Sequence, residues 1–263
     1  MKYEFMRNAL MAILLITPLF GIMGTMIVGR KMAFFSDALG HSALTGIAIG
    51  LLAGIKDTTI SMVIFAIIFA LLLNNISRRA FASNDTVISV FSSASMALGL
   101  VILSGGGNFS KYSALLVGDV LSITKQEILY LTIAFVTTLI FWLAASNKMV
   151  AISLNPTLAR GRGFSVRLLE DVFAVLVALV VMLSIKWVGI LIINALLILP
   201  AAASGNISEN LREYHFFAVL FSAFSGLLGL WVSYHTGTAT GPVIVIIAAV
   251  IYFCTYIYGK RRK

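Results

Sequence analysis

The chain of 263 residues is 60% hydrophobic and 11% charged, with mean hydropathy +1.03, whereas soluble domains carry about 25% charged residues. That excludes a soluble globular protein and points to an integral membrane protein, all-α and read as one transmembrane domain over residues 1–263. The net charge of +9 does not indicate a nucleic-acid partner. Lys and Arg flank the apolar runs, as they do in polytopic proteins facing anionic membrane lipid.

A bilayer core needs about 20 apolar residues of helix. On that measure the sequence predicts spans over roughly 8–29, 33–54, 58–76, 86–104, 127–146, 168–186, 188–205, 213–235 and 239–258. The joints at 187 and 236–238 are short, so the expectation is a helical bundle of eight or nine spans. The first run follows Lys2 and Arg7 as a signal peptide would. It lacks a small-x-small cleavage site ahead of a polar domain, and it is expected to be retained as a span. Residues 105–126, opening Gly105-Gly106-Gly107-Asn108, are expected to form an outer loop with a small helix lying on the membrane, and 147–167 the longest inner loop. With the tail Lys260-Arg261-Arg262-Lys263 placed in the cytoplasm, alternation collects thirteen of the nineteen Lys and Arg, Arg79 among them, on that side. The excess follows the positive-inside rule and puts the N-terminus outside. Cys254 is the single cysteine, so an intrachain disulfide is excluded.

Within the second run, Asp37, His41 and Thr45 recur every four residues and share a helix face. Ala38, Ser42, Gly46, Gly50 and Gly54 run beside them at the same spacing. Small side chains let another helix approach closely, so the polar stripe is expected to face protein interior or a water-filled path. An ionisable group in hydrocarbon costs several kcal/mol unless paired, hydrated or bound. Three uses of the pair stay open from spacing alone: packing glue, a proton relay, or two ligands of a divalent ion.

Arg30-Lys31-Met32 followed by Phe35-Ser36-Asp37-Ala38-Leu39-Gly40-His41-Ser42-Ala43-Leu44 resembles the membrane subunit of bacterial ABC importers for zinc, manganese or iron. Three later stretches are similar to the same family, in order: Ser83-Asn84-Asp85-Thr86-Val87-Ile88-Ser89-Val90-Phe91-Ser92-Ser93, Gly118-Asp119-Val120-Leu121-Ser122, and Val188-Gly189-Ile190-Leu191-Ile192-Ile193-Asn194-Ala195-Leu196-Leu197-Ile198-Leu199-Pro200-Ala201. The resemblance implies a permease of the cobalamin- and siderophore-importer (type II) fold in the cytoplasmic membrane. It implies a homodimer with a central path, two cytoplasmic ATPase subunits and an extracytoplasmic metal-binding lipoprotein that delivers the ion. Asp37 and His41 fall on the family's path ligands. The transported Zn, Mn or Fe ion is cargo, with no permanently bound cofactor implied. An acid and an imidazole suit all three metals, so selectivity is expected upstream, in the delivery protein.

From the residues alone, about 150–166 reads as an ordinary basic inner loop or as a short docking helix, and the resemblance implies the second, a segment that couples to the ATPase. Asn155 can cap a short helix, Pro156 suits its first position, and Gly161 or Gly163 can end it. Ala159, Arg160 and Gly163 resemble the family's coupling segment, in which an acid often stands where this chain has Asn155. Asp119 in the outer loop, His235 near the outer end of a span, and Asn194 beside Pro200 are weaker path or loop candidates next to Thr45; His215 reads as a boundary residue. Gly24-x-x-x-x-Gly29-Arg30 lacks the Lys-Ser/Thr of a phosphate loop. ATP hydrolysis is therefore expected from another chain, and this one is not read as an enzyme. No H-E-x-x-H occurs, against an intramembrane zinc protease. The alternative function is a proton-coupled secondary transporter of metal or another small cation; such proteins often carry hydropathy repeats, and none is visible here.

Overall fold

The structure, a computed structural model, describes residues 4–78, 81, 83–107 and 109–262. Lys2, Arg79, Asn108 and Lys263, used above for charge bias and loop position, lie outside the described residues. The elements in order are α1 (Glu4–Gly29), α2 (Ala33–Leu52), α3 (Thr58–Ser77), α4 (Asn84–Gly105), α5 (Phe109–Ser113), two 3-10 turns (Ala114–Leu116 and Val120–Ser122), α6 (Lys125–Leu154), α7 (Pro156–Gly161), α8 (Val166–Val188), α9 (Ile190–Gly205), α10 (Leu211–Thr236) and α11 (Thr240–Arg262).

Among the described residues, eight helices are long and apolar enough to cross a membrane. The chain is a multi-pass membrane protein. The expected span 188–205 is the exception, since α9 has 16 residues and reaches about 24 Å at 1.5 Å per residue. It nevertheless runs beside α11 from end to end: Val188 and Ile192 lie against Gly241, and Asn206 lies against Gly259. Its start is fixed by one residue. Gly189 has φ 95 and ψ 146, a conformation open to glycine alone, and this reverses the chain between α8 and α9. A side chain at Gly189 would strike the Val117 carbonyl, and one at Gly118 would strike Gly189. The Asp119 amide donates to the Lys186 carbonyl at 3.2 Å in the same place. Two of the family-like stretches, far apart in sequence, thus meet backbone to backbone.

Charge pairs mark the two faces of the bundle. On one, Lys125 binds Glu4 at 2.6 Å and Lys186 binds Glu127 at 3.3 Å. On the other, the corner between α1 and α2 meets the start of α8 through Arg30 and Glu170. Helices α1 and α10 run antiparallel, with Thr17 against Gly226 and Thr25 bonded to His215. The N-terminal helix therefore starts on the face opposite the basic tail, as alternation predicts. That tail, with Arg30 and Arg78, defines what is called below the basic face.

Two loops are more ordered than expected. Helix α6 continues to Leu154 instead of stopping near 146, because Asn147 and Lys148 interrupt the hydropathy but not the helix. Residues 109–122 fold into the short helix α5 and the two 3-10 turns, with Tyr112, Val120 and the following Ile123 buried in the core. The core itself is built from α1, α2, α8 and α9, with Phe20, Phe35, Phe173 and Trp187 fully enclosed.

Candidate functional site

The turn before α2 sets the site. Lys31 takes the left-handed conformation at φ 55. The Lys31 and Met32 amides return to the Val28 and Ile27 carbonyls at 3.0 and 2.9 Å. This double bond closes the C-terminus of a helix and lets α2 start at once. Asp37 and His41 follow one turn apart, roughly 6 and 12 Å along the helix from its first residue, so the pair lies in the half of α2 nearer the basic face.

His41 Nε2 stands 3.5 Å from Asp37 Oδ2. The Asp37 side chain is 39% exposed and that of His41 23% exposed in the single chain. Phe34, Ile49 and Leu52 on the same helix are exposed with them. The stripe of small residues beside this face does receive another helix: Gly46 packs on Met62 and Phe65, and Gly50 on Ser61, all from α3. Gly54 lies past the helix end in open space. The acid–imidazole face is therefore left half open while the adjoining face is closed. His41 Nδ1 is buried and has no hydrogen-bond partner among the described residues. No group of three or more His, Cys, Asp or Glu able to hold a metal occurs among the described residues. One chain thus offers two ligands in this place.

The other expected site residues separate into groups. Thr45 shares the helix face by register but is fully engaged: its hydroxyl donates to the Ser95 carbonyl of α4, and Ser95 Oγ donates back at 3.1 Å. It is buried packing glue between α2 and α4, not an open ligand. Asn194 on α9 accepts a hydrogen bond from the Ser36 hydroxyl, which fixes the residue next to Asp37. Asp119 caps the second 3-10 turn, accepting from the Leu121 amide at 3.0 Å, on the face opposite Asp37. His235 is exposed at the end of α10, its Nδ1 2.9 Å from the Trp231 carbonyl oxygen and its ring against Trp231 and Tyr234. Neither comes near the pair. His215, near the start of α10, bonds Thr25 at 2.7 Å and packs edge-on against Trp142.

The loop over 147–167 is as expected in its cap. Asn155 Oδ1 accepts from the Thr157 and Leu158 amides, both at 3.0 Å. Pro156 opens α7, and Gly163 leaves it at φ 80. Ala159 does not face outward. It is buried, and its carbonyl accepts from the Phe164 amide at 3.2 Å. Leu154, Leu158 and Arg160 are the exposed side chains around it.

The sequence reading missed a second charged cluster. Arg30 Nη2 reaches Glu170 Oε1 at 2.5 Å, and Arg78 Nη2 lies 3.3 Å from Glu170 Oε2 and 2.7 Å from Asp171 Oδ1. Asn74 adds a bond to Asp171 at 2.6 Å. These four charged side chains are only 11 to 30% exposed. A cavity of about 130 Å³ borders Arg30, Arg78 and Glu170, reaching Phe35 at the start of α2. Two adjacent acids at the start of a span, in a chain with only ten, were the available signal.

Comparison with known proteins fits this arrangement. The model of the ABC 3 transport family matches residues 2–259. This chain belongs to that family. The manganese transport system membrane protein MntC of Listeria innocua is 29% identical over 263 residues, covering 100% of this chain and 93% of its own. The high-affinity zinc uptake system membrane protein ZnuB of Haemophilus influenzae is 29% identical over 264 residues, covering 98% and 99%. The solved structure of PsaBC from Streptococcus pneumoniae in complex with Fab matches with TM-score 0.85 at 25% identity, over 100% of this chain and 96% of that one. A metal-chelate type ABC transporter in an inward-facing conformation shares the fold, with TM-score 0.74 at 16% identity and 95% and 85% coverage. The expected type of permease bundle is the fold of this ABC 3 family chain.

Proposed function

We propose that the half-open Asp37–His41 face of α2 is one half of a transit site for a divalent transition-metal ion. The chain is the membrane-spanning subunit of a metal ABC importer. The observation that carries the site is the pair itself: a carboxylate and an imidazole one turn apart, 3.5 Å from each other, on the open face of the most buried helix. The imidazole has a ring nitrogen that the described residues leave without a partner. Oxygen and imidazole nitrogen together suit zinc, manganese and ferrous iron. Two ligands are too few for a closed structural site. A second copy facing the first would bring two Asp and two His to one ion, which favours the homodimer. The basic face is read as cytoplasmic from its Lys and Arg excess, with the C-terminus on that side of a bacterial cell membrane.

On this reading the ion is handed in at the opposite face by an extracytoplasmic binding protein. Its water is exchanged for Asp37 and His41, and it leaves towards the basic face. Weak binding is a requirement of passage, since an ion held tightly does not leave. The energy is supplied by two ATPase subunits docked on α7, where Leu158 is exposed and the helix is capped by Asn155. Membership of an ABC family favours this over the proton-coupled alternative.

Uptake of radioactive Mn2+ or Zn2+ into cells producing the wild type, Asp37→Ala or His41→Ala, with the amount of membrane-inserted permease measured in each, tests the assignment. The expected result is loss of uptake at unchanged permease level. Wild-type uptake by both variants would overturn it.

A further inference from the structure

We infer that Glu170 is the positioning residue through which the coupling segment holds the path helix, an inference that rests on the transit site proposed above. The connection can be followed atom by atom. Ala159 of α7 accepts from the Phe164 amide, and the Val166 amide donates to the Phe164 carbonyl at 2.9 Å. Helix α8 begins there without slack, and Glu170 lies about one turn in. Its two carboxylate oxygens hold two different elements: Oε1 binds Arg30, at the corner from α1 into α2, and Oε2 faces Arg78 at the end of α3.

The corner is rigid. Arg30 caps α1 in the turn closed by the Lys31 and Met32 amides. Its guanidinium also lies against Met149 of α6 and over the Phe173 ring of α8, 5.9 Å from the ring centroid. Asp37 follows seven residues after Arg30, on a helix that starts in the same turn. A displacement of α7 carried by α8 moves Glu170, and Glu170 cannot slide past Arg30 by fractions of an ångström. Arg30 has no second carboxylate among the described residues to take the place of Glu170, so the contact is either kept or lost. The contact is thus made or broken as a unit, which is the behaviour a switch requires. Asp171 has a separate duty, since it holds Arg78 together with Asn74 and remains to do so when Glu170 is changed.

The test uses the permease reconstituted in proteoliposomes with its ATPase and binding protein, supplied with Mn2+ or Zn2+. ATP hydrolysis and metal uptake are measured per assembled complex in the wild type, Glu170→Gln, the exchange Arg30→Glu with Glu170→Arg, and Asp37→Ala. Glu170→Gln is expected to keep ATP hydrolysis within about twofold while metal moved per ATP falls about 10-fold, and the exchange to recover at least part of that ratio. An unchanged ratio in Glu170→Gln overturns the inference, including the case where less complex assembles but each complex works normally, because that is the signature of a mere brace. Failure of the exchange to recover any of a lost ratio also overturns it. Asp37→Ala reports separately: normal uptake there removes the transit site itself, whatever Glu170 does.

Discussion

Two of the places where the protein puts charge into its membrane-embedded bundle are treated in opposite ways. At the basic face, Arg30, Glu170, Arg78 and Asp171 are joined by contacts of 2.5 to 3.3 Å and further enclosed by Asn74, Met149 and Phe173. On α2, Asp37 and His41 have only each other at 3.5 Å, an open side and an unpartnered ring nitrogen. In the cluster each charge has an opposite charge against it, and Arg78 Nε is the one cluster atom buried without a hydrogen-bond partner among the described residues. An unsaturated pair is costly to keep and is kept where something else must bind. On the proposed function, the difference separates residues that hold the helices from residues that meet the cargo.

The sharpest way to break that contrast is to remove one residue from each place and compare transport with stability. Asp37→Ala is expected to lower metal uptake about 10- to 100-fold or more, by analogy with the cost of disturbing metal ligation, while shifting stability by less than about 1 kcal/mol. Uptake assays and thermal unfolding in detergent read the two quantities. Glu170→Ala is expected to do the reverse in stability, costing about 3–5 kcal/mol because Arg30 loses its only carboxylate partner in the cluster. Equal destabilisation by the two variants would erase the distinction.

Smaller effects sharpen it at the periphery. Gly189→Ala is expected to destabilise by about 1–3 kcal/mol from its positive φ, with more from the clash against Val117, and to free the outer loop to proteolysis. Asn155→Ala is expected to cost about 1 kcal/mol of helix stability through the lost cap, with weakened ATPase retention read by co-purification, whereas Asn155→Asp keeps the cap. In competition, Zn2+ is expected to block Mn2+ uptake more strongly than Mn2+ blocks Zn2+, following the affinity order for nitrogen and oxygen ligands.

The pattern of legibility follows the same divide. Local features could be read from the chain. Runs of about 20 apolar residues gave helices, the Asn155-Pro156 dipeptide gave a capped turn, and the four-residue spacing put Asp37 and His41 on one face. What depended on distant partners could not be read. Thr45 fits the stripe by spacing, yet Ser95, fifty residues away, takes its hydroxyl. Ala159 lies in a loop that looks exposed, but it is buried, its carbonyl bonded by the Phe164 amide. Glu170 and Arg30 are 140 residues apart, and at the ends of spans each looks like an ordinary interfacial charge. The shortness of α9 was hidden because its residues are as apolar as any span, and only the conformation of Gly189 sets its start.

On the proposed function each chain carries half of a metal transit site. The most direct test is to titrate Mn2+ into the purified permease and follow binding by electron paramagnetic resonance, with Asp37→Ala and His41→Ala alongside. The account predicts weak binding that approaches about one Mn2+ per two chains, lost in either variant. Binding that persists unchanged without Asp37 and His41, or that saturates at a full ion on every chain, would contradict it.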